Sequence, residues 1–363
     1  QKAVLSFLSG YYKLESAPQE VDSALYEFDR AVKDKEVLLG VATTDFRPMV
    51  EQGKWSQRYF GGNMYDLLLR QSIFQLLWNG GGSKAVQLAV FDKYEKLIAQ
   101  YEAAGNRDAE LLTRLERLMY WQRNGWRYPQ QLSDEQVVEQ LQAWAKAYDG
   151  VDACAALYVS WADFYHQKQD FVSEMKVIEE GIKRYPSSEF TADLKDNQRI
   201  VCMPSLSVQV THPYPQTEAE LRVTSKNLKG ATLEWYRLNL KASSSVFAQN
   251  LEHADLIKKY GTLVDKVRLD LPDTPTYKDT VSVLTSRMPE AGIYILKSIP
   301  DGYKDKMGYD VVHLSALQVA SFPMEGRQTE CHVVDCKTGK PVAGAELVFY
   351  SIPVPGNYTL YKT

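Results

Sequence analysis

Long apolar runs are missing from this 363-residue sequence. No stretch approaches the roughly 20 residues that a membrane-spanning helix needs, so the chain is expected to be soluble. Histidine is scarce. The five, His166, His212, His253, His313 and His332, contain no pair four residues apart with glutamate between them. That spacing excludes a helical zinc-protease motif, though not a metal assembled across the fold. His253 and His313 read as surface or internally satisfied residues. There are four cysteines, Cys154, Cys202, Cys331 and Cys336, with neither a C-x-x-C pair nor a zinc-finger spacing. On one strand, Cys331 and Cys336 would point to opposite faces, so no bridge is expected between them; pairing of Cys154 with Cys202 is left open. Charge of either sign is not in large excess: 42 basic against 46 acidic residues, net -4, provides no footprint for nucleic acid. No G-x-S-x-G elbow is present, and Gly80-Gly81-Gly82-Ser83-Lys84 lacks the spacing of a phosphate loop. It reads as a turn between helices with Ser83 as N-cap. Paired carboxylates such as Glu179-Glu180 and Asp134-Glu135 fall on polar helix faces. No catalytic, cofactor-binding or metal-binding residue is therefore assigned, and the chain is read as non-enzymatic.

Aromatic residues, in contrast, are plentiful: 23 tyrosines and 7 tryptophans. At helical spacing such residues serve chiefly as packing anchors. Residues from about 20 to 200 carry helical patterns. Val21, Leu25, Phe28 and Val32 form one stripe, with Asp29, Arg30 and Lys33 on the wet side. A helix after Ser83 carries Leu88, Phe91, Leu97, Ile98 and Tyr101; the next carries Leu111, Leu115, Leu118 and Met119 and stops near Asn124-Gly125. Ser133 with Gln136 has the spacing of a capping box, ahead of Val137, Leu141, Trp144 and Tyr148. In the segment 158–186, Tyr158, Trp161, Ala162, Tyr165, Ile178, Gly181 and Pro186 resemble a tetratricopeptide (TPR) helix pair, although Glu174 stands where that motif has a small residue. Tyr158, Trp161 and Tyr165 are the candidate aromatics for packing or for binding a peptide or glycan.

The period changes from helical to alternating near Met203-Pro204. Strand patterns follow at Leu206/Val208/Val210, Leu221/Val223, Leu233/Trp235 or Tyr236/Leu238, Val264/Val267/Leu269, Val281/Val283 and Ile293/Ile295, the last with a second set at Tyr294/Leu296. Turn residues separate them at Asn227 to Gly230, Pro272-Asp273, Pro289 to Gly292 and Asp301-Gly302. This is the pattern of an antiparallel β-sandwich. Phe247, Leu251, Ala254 and Ile257 predict a helical excursion within 243–259. From Cys331 to Tyr350, CHVVDCKTGKPVAGAELVFY predicts a strand, a turn at Lys337 to Pro341 and a second strand through Ala345, Leu347 and Phe349. The expected organisation is α+β and multidomain: an all-α TPR-like array at 1–203, a sandwich at 204–312 with the helical insertion, and the start of a second sandwich at 313–363.

That last hairpin resembles the opening of macroglobulin-like (MG) domains in bacterial alpha-2-macroglobulin family proteins. The order of the other elements is similar too: a helical region ending in Cys202-x-Pro-Ser-Leu-Ser-Val, then L-x-W-Y-R-L at Leu233 to Leu238 and A-G-I-Y at Ala291 to Tyr294. The resemblance implies an extracytoplasmic protein (periplasmic, secreted or on the outer surface) that traps or inhibits proteases through its whole chain, with these parts as framework. Gln1 is not Met and opens no cleavable signal, so a mature or trimmed chain is expected, and from the usual size of a sandwich the second MG-like domain is expected to run on past Thr363. A thioester of that family needs Gln three residues after Cys; here Leu157, Ser205, Val334 and Gly339 occupy those places, so none can form within this sequence. The competing expectation is a TPR-like module that holds a peptide, a glycan or another envelope protein.

Overall fold

A computed structural model describes residues 1–16, 21–46, 58–124, 132–211, 218–239, 251–272, 275–287, 290–325, 329–350 and 360–362. The chain divides into two compact units, Gln1–Val201 and Cys202–Thr363. Helices fill the first and antiparallel strands dominate the second, as the change of period predicts.

The helical unit begins with α1 (Lys2–Ser16), a helix ahead of the first expected stripe. It packs on α2 (Val21–Ala31) through Gly10, where a Cβ would lie 2.9 Å from the Phe28 ring, so the helices close only because the side chain is missing. The buried face of α2 is Ala24, Phe28 and Ala31, followed by Val32, while Val21 and Leu25 are half-buried. The true stripe is thus rotated from the expected one, because the small alanines allow the closest approach. Then come α3 (Lys35–Leu39) and α4 (Met64–Asn79), the latter capped by Asn63, whose side chain accepts from the Asp66 N–H at 2.9 Å. Ser83 does cap α5 (Lys84–Ala104), and Gly105 at φ 66° ends it in the left-handed conformation. Its core face is Val86, Val90, Tyr94, Leu97 and Tyr101; Leu88, expected inside, is 52 % exposed. The sequence α6 (Arg107–Asn124), α7 (Asp134–Ala147), α8 (Cys154–Gln167), α9 (Phe171–Arg184) and α10 (Thr191–Cys202) completes the unit. Ser133 and Gln136 form the reciprocal capping box at the start of α7. Gly125, named above as the end of α6, lies outside the described residues.

In the second unit, seven strands make two facing sheets. One has the order β1-β2-β5, the other β4-β3-β6-β7. The strands are β1 (Ser205–Thr211), β2 (Glu218–Lys226), β3 (Gly230–Leu238), β4 (Gly261–Asp270), β5 (Thr280–Arg287), β6 (Gly292–Pro300) and β7 (Gly308–Leu314). Val208, Leu221, Val223, Leu233, Trp235, Tyr294 and Leu296 belong to the core of buried residues in this unit. The chain passes from β4 to β5 on the other sheet, a Greek-key crossing. Two inferred faces need correction. In β5, Val283 pairs with Arg222 and Val281 with Thr224, on the outer face, and both valines are more than half exposed; Leu284, opposite Leu221, points inward. In β4 the register with β3 shifts after Trp235, which leaves Val264 out of the pairing and 44 % exposed.

The double apolar set of β6 has a clear origin. Tyr294 and Leu296 face the core, whereas Ile295 lies under α11 (His253–Tyr260), with Leu238 and Leu256. In the expected excursion, Ala254 is exposed and Leu256 is the buried residue. Positions 243–250, with Phe247, lie outside the described residues, as do Asp273 and Pro289. The hairpin after Cys331 also differs from expectation. β9 (Thr329–Asp335) pairs along its length with the preceding β8 (Leu317–Pro323), not with the following run. The turn forms as expected: Asp335 Oδ1 accepts from the Lys337 and Thr338 backbone N–H groups, and Gly339 takes φ 67°. Beyond it the return is a single bridge between Val334 and Pro341, since Pro341 has no N–H to donate and Gly344 at φ 74° bends the chain away. β10 (Val348–Tyr350) pairs instead with β11 (Leu360–Lys362).

Candidate binding recess in the helical unit

Tyr158, Trp161 and Tyr165 come together as one stack along α8. Ring centroids of Tyr158 and Trp161 are 6.0 Å apart, and those of Trp161 and Tyr165 6.5 Å. Tyr158 is 1 % exposed, Trp161 8 %, and Tyr165 is half-buried. Ala162 is fully buried. The Tyr158 hydroxyl donates to Glu180 on α9 at 3.1 Å, and burial raises its pKa. Most of this stack is therefore interior. Gly181 of α9 sits where a Cβ would be 2.8 Å from both Tyr158 Cβ and Leu194 Cδ1, which explains why glycine occupies the crossing. Glu174, the departure from the repeat pattern, is 1 % exposed and meets His166 Nδ1 with both carboxylate oxygens at 3.1 and 3.0 Å. A buried carboxylate persists here because a partner on the adjacent helix satisfies it.

A larger opening lies elsewhere in the unit. A recess of about 640 Å³ is walled by α4, α5, α6, α8 and the start of α10. That size is typical of ligand pockets. Leu112, Leu115, Met119 and Val159 make its surface mainly apolar. Polar residues interrupt it at Gln87, Glu116, Ser160 and Asp193, and the tyrosines Tyr94 and Tyr120 also line it. The Gln87 side chain is 3 % exposed; its Nε2 donates to the Gly82 carbonyl at 3.3 Å, and its Oε1 has no hydrogen-bond partner among the described residues.

Glu116 is held from behind. Arg70 of α4 donates to Glu116 Oε2 at 3.2 Å, to Thr113 Oγ1 at 2.7 Å, and through Nε to Asp66 Oδ1 at 3.0 Å and Tyr101 at 3.1 Å. Its guanidinium also lies 3.3 Å from the centroid of the Phe60 ring. Burial alone would weaken Arg70's hold on its proton, but Glu116, Tyr101 and Asp66 outweigh it and the pKa rises. Glu116 retains 37 % of its side-chain surface, open to the recess, yet protein surrounds the carboxyl elsewhere. Burial pushes its pKa up, against the pull of Arg70. None of Gln87, Arg70 or Glu116 stands out in the sequence. The one available signal is the Asp66 to Arg70 spacing of a turn-to-turn ion pair, which marks a helix face and not a site.

Among the described residues, no group of three or more histidine, cysteine, aspartate or glutamate side chains could hold a metal ion, and no helix is long and apolar enough to cross a membrane. Cys154, Cys331 and Cys336 are free thiols, with Cys154 buried and its pKa raised by that burial. These features define a class: a helical unit with an internal apolar recess, followed by a sandwich-bearing β unit. No protein-family model matches the chain, and no curated protein sequence matches it. Among solved structures, one match is native alpha-2-macroglobulin from Escherichia coli, a crystal structure spanning domains MG0-NIE-MG1, with a TM-score of 0.29 and 17 % identity. It covers 37 % of this chain and 46 % of that one, less than half of the matched protein's length. A likeness that slight fixes neither family nor activity.

Proposed function

We propose that this chain is a non-catalytic framework segment of an extracytoplasmic alpha-2-macroglobulin-like protein, in which a helical unit and a macroglobulin-type sandwich support parts that engage proteases. The observation that carries this reading is where the resembling motifs lie. Leu233, Trp235 and Leu238 of L-x-W-Y-R-L and Tyr294 of A-G-I-Y are all buried, and Trp235 meets Tyr294 edge-to-face at 6.4 Å. Val208, from the motif that follows Cys202, belongs to the same core. Motif residues spent on packing specify a sandwich and not a reactive site. The burial of Tyr158 and Trp161 supports the same view, since side chains that fill a helix pair are not presented to a ligand.

The test is incubation of the chain with trypsin or elastase. Turnover of both small and large substrates should be unchanged, and no conjugate should survive denaturation. Stoichiometric loss of activity towards large substrates alone would overturn the framework reading and assign protease capture to these units.

A further inference from the structure

We propose that the recess walled by α4, α5, α6, α8 and α10 binds an extended peptide segment of a partner protein, one that presents bulky apolar side chains together with a lysine or arginine. This inference goes beyond the framework reading and does not depend on it. Leu112, Leu115, Met119 and Val159 offer apolar surface to the occupant's side chains. The charge of the lining is of one sign: Glu116 and Asp193 contribute carboxylates, and no lysine, arginine or histidine is among the lining residues. Arg70 engages Glu116 Oε2 from behind, leaving Oε1 without an ion-pair partner among the described residues. Asp193 is exposed at the rim and has no such partner either. A cationic side chain therefore finds complementary charge, whereas an acidic peptide or a phosphate is repelled.

Gln87 adds a further, independent requirement. Its Nε2 is committed to the Gly82 carbonyl, and the reverse amide orientation would set two oxygens against each other, so Oε1 is an acceptor. Buried and without a donor, that oxygen calls for an N–H. An extended peptide supplies one at each residue. A wholly apolar occupant such as an acyl chain would leave Gln87 Oε1 and Glu116 Oε1 without a donor, which disfavours it.

The probe is a nine-residue fluorescein-labelled peptide of alternating leucine and lysine, titrated with the full chain and followed by anisotropy. Saturable binding in the micromolar range is expected. Replacing the lysines by glutamate, or the leucines by serine, should each weaken it at least about tenfold. Ser160→Trp, at a half-buried lining position on α8, should block the recess and weaken binding by about tenfold. Asp193→Lys, at an exposed position in the first turn of α10, should weaken it about threefold while circular dichroism shows the unit still folded. Glu179→Lys makes the same charge change on the exposed face of α9, away from the recess, and should have no effect. The proposal is overturned if no binding is seen at about 1 mM peptide, or if the glutamate or serine peptide binds as well as the first. It is equally overturned if Glu179→Lys weakens binding as much as Asp193→Lys, or if a folded Ser160→Trp binds normally. Should Ser160→Trp fail to fold, the comparison of Asp193→Lys with Glu179→Lys decides.

Discussion

Gly181→Ala is the sharpest perturbation of the helical unit, because two effects of opposite sign meet there. Glycine within a helix ordinarily costs about 1 kcal/mol relative to alanine, so the substitution should by propensity alone stabilise α9. Packing opposes it. The added methyl would stand 2.8 Å from Tyr158 Cβ, 2.9 Å from Tyr158 Cγ and 2.8 Å from Leu194 Cδ1. Leu194 could rotate its terminal methyl, but Tyr158 Cβ moves only if the backbone of α8 moves, and Tyr158 is itself 1 % exposed with its hydroxyl tied to Glu180. Overpacking of this kind costs roughly 1–3 kcal/mol, and here relief is blocked on one side, so the upper half of that range applies. The net expectation is a loss of about 1–2 kcal/mol. For a unit of this size that lowers the thermal midpoint by several degrees, on the order of 2–4 °C per kcal/mol. Thermal unfolding followed by helical circular dichroism measures it. A variant as stable as the parent, or more so, would show that α8 and α9 are not in the close contact on which this account depends.

Two further outcomes follow from the same geometry. Trp161→Ala should destabilise the helical unit by roughly 3–5 kcal/mol, the cost of emptying a large aromatic site; a loss below about 1 kcal/mol in urea unfolding, with native spectra, would place Trp161 at the surface and favour a ligand-binding stack. Glu234 contributes to the acid response of the sandwich. Burial resists its charge, but hydrogen bonds from Lys266 and Tyr236 and the charges of Lys266 and Lys297 outweigh this and hold its pKa below the ordinary value of 4.5. A depressed carboxylate stabilises the fold at pH above its unfolded pKa and loses that contribution as pH falls through the folded pKa. The unit should therefore weaken as pH drops below about 4.5. Glu234→Gln should show a shallower acid loss in urea midpoints, and an unchanged acid limb would refute the assignment.

The switch from helices to antiparallel strands was legible because it depends on local periodicity, and so were caps such as Ser83 and Ser133, whose partners lie three residues away. Faces were less legible. Leu88 and Val264 carry apolar side chains that no described element covers closely, and their chemistry alone does not reveal that. In β5 the alternation points to Val281 and Val283, but register with Arg222 and Thr224 turns them outward and Leu284 inward. Pairing partners remote in sequence decide such cases, and a one-residue shift inverts the whole strand.

Polar interiors are illegible for a related reason. A glutamate at a small-residue position of a helix pair counts against the repeat when the sequence is read alone, because burying an unpaired carboxylate is costly. Glu174 occupies that position nonetheless, since His166, eight residues earlier and on the facing helix, meets both of its oxygens. Arg70 shows the same logic at longer range: its four acceptors come from α4, α5 and α6, up to 46 residues away, and they turn what would be an isolated buried charge into a fixed support for Glu116. Gln87 differs from both. Its amide nitrogen is satisfied within the turn before α5, but its oxygen is not; among the described residues of the helical unit Gln122 Nε2 and Trp161 Nε1 are likewise buried without a partner, and of the three only Gln87 belongs to the recess lining. An unpaired acceptor in the lining of a mainly apolar recess, which also carries a carboxylate braced from one side only, is the arrangement expected of a surface completed by another chain.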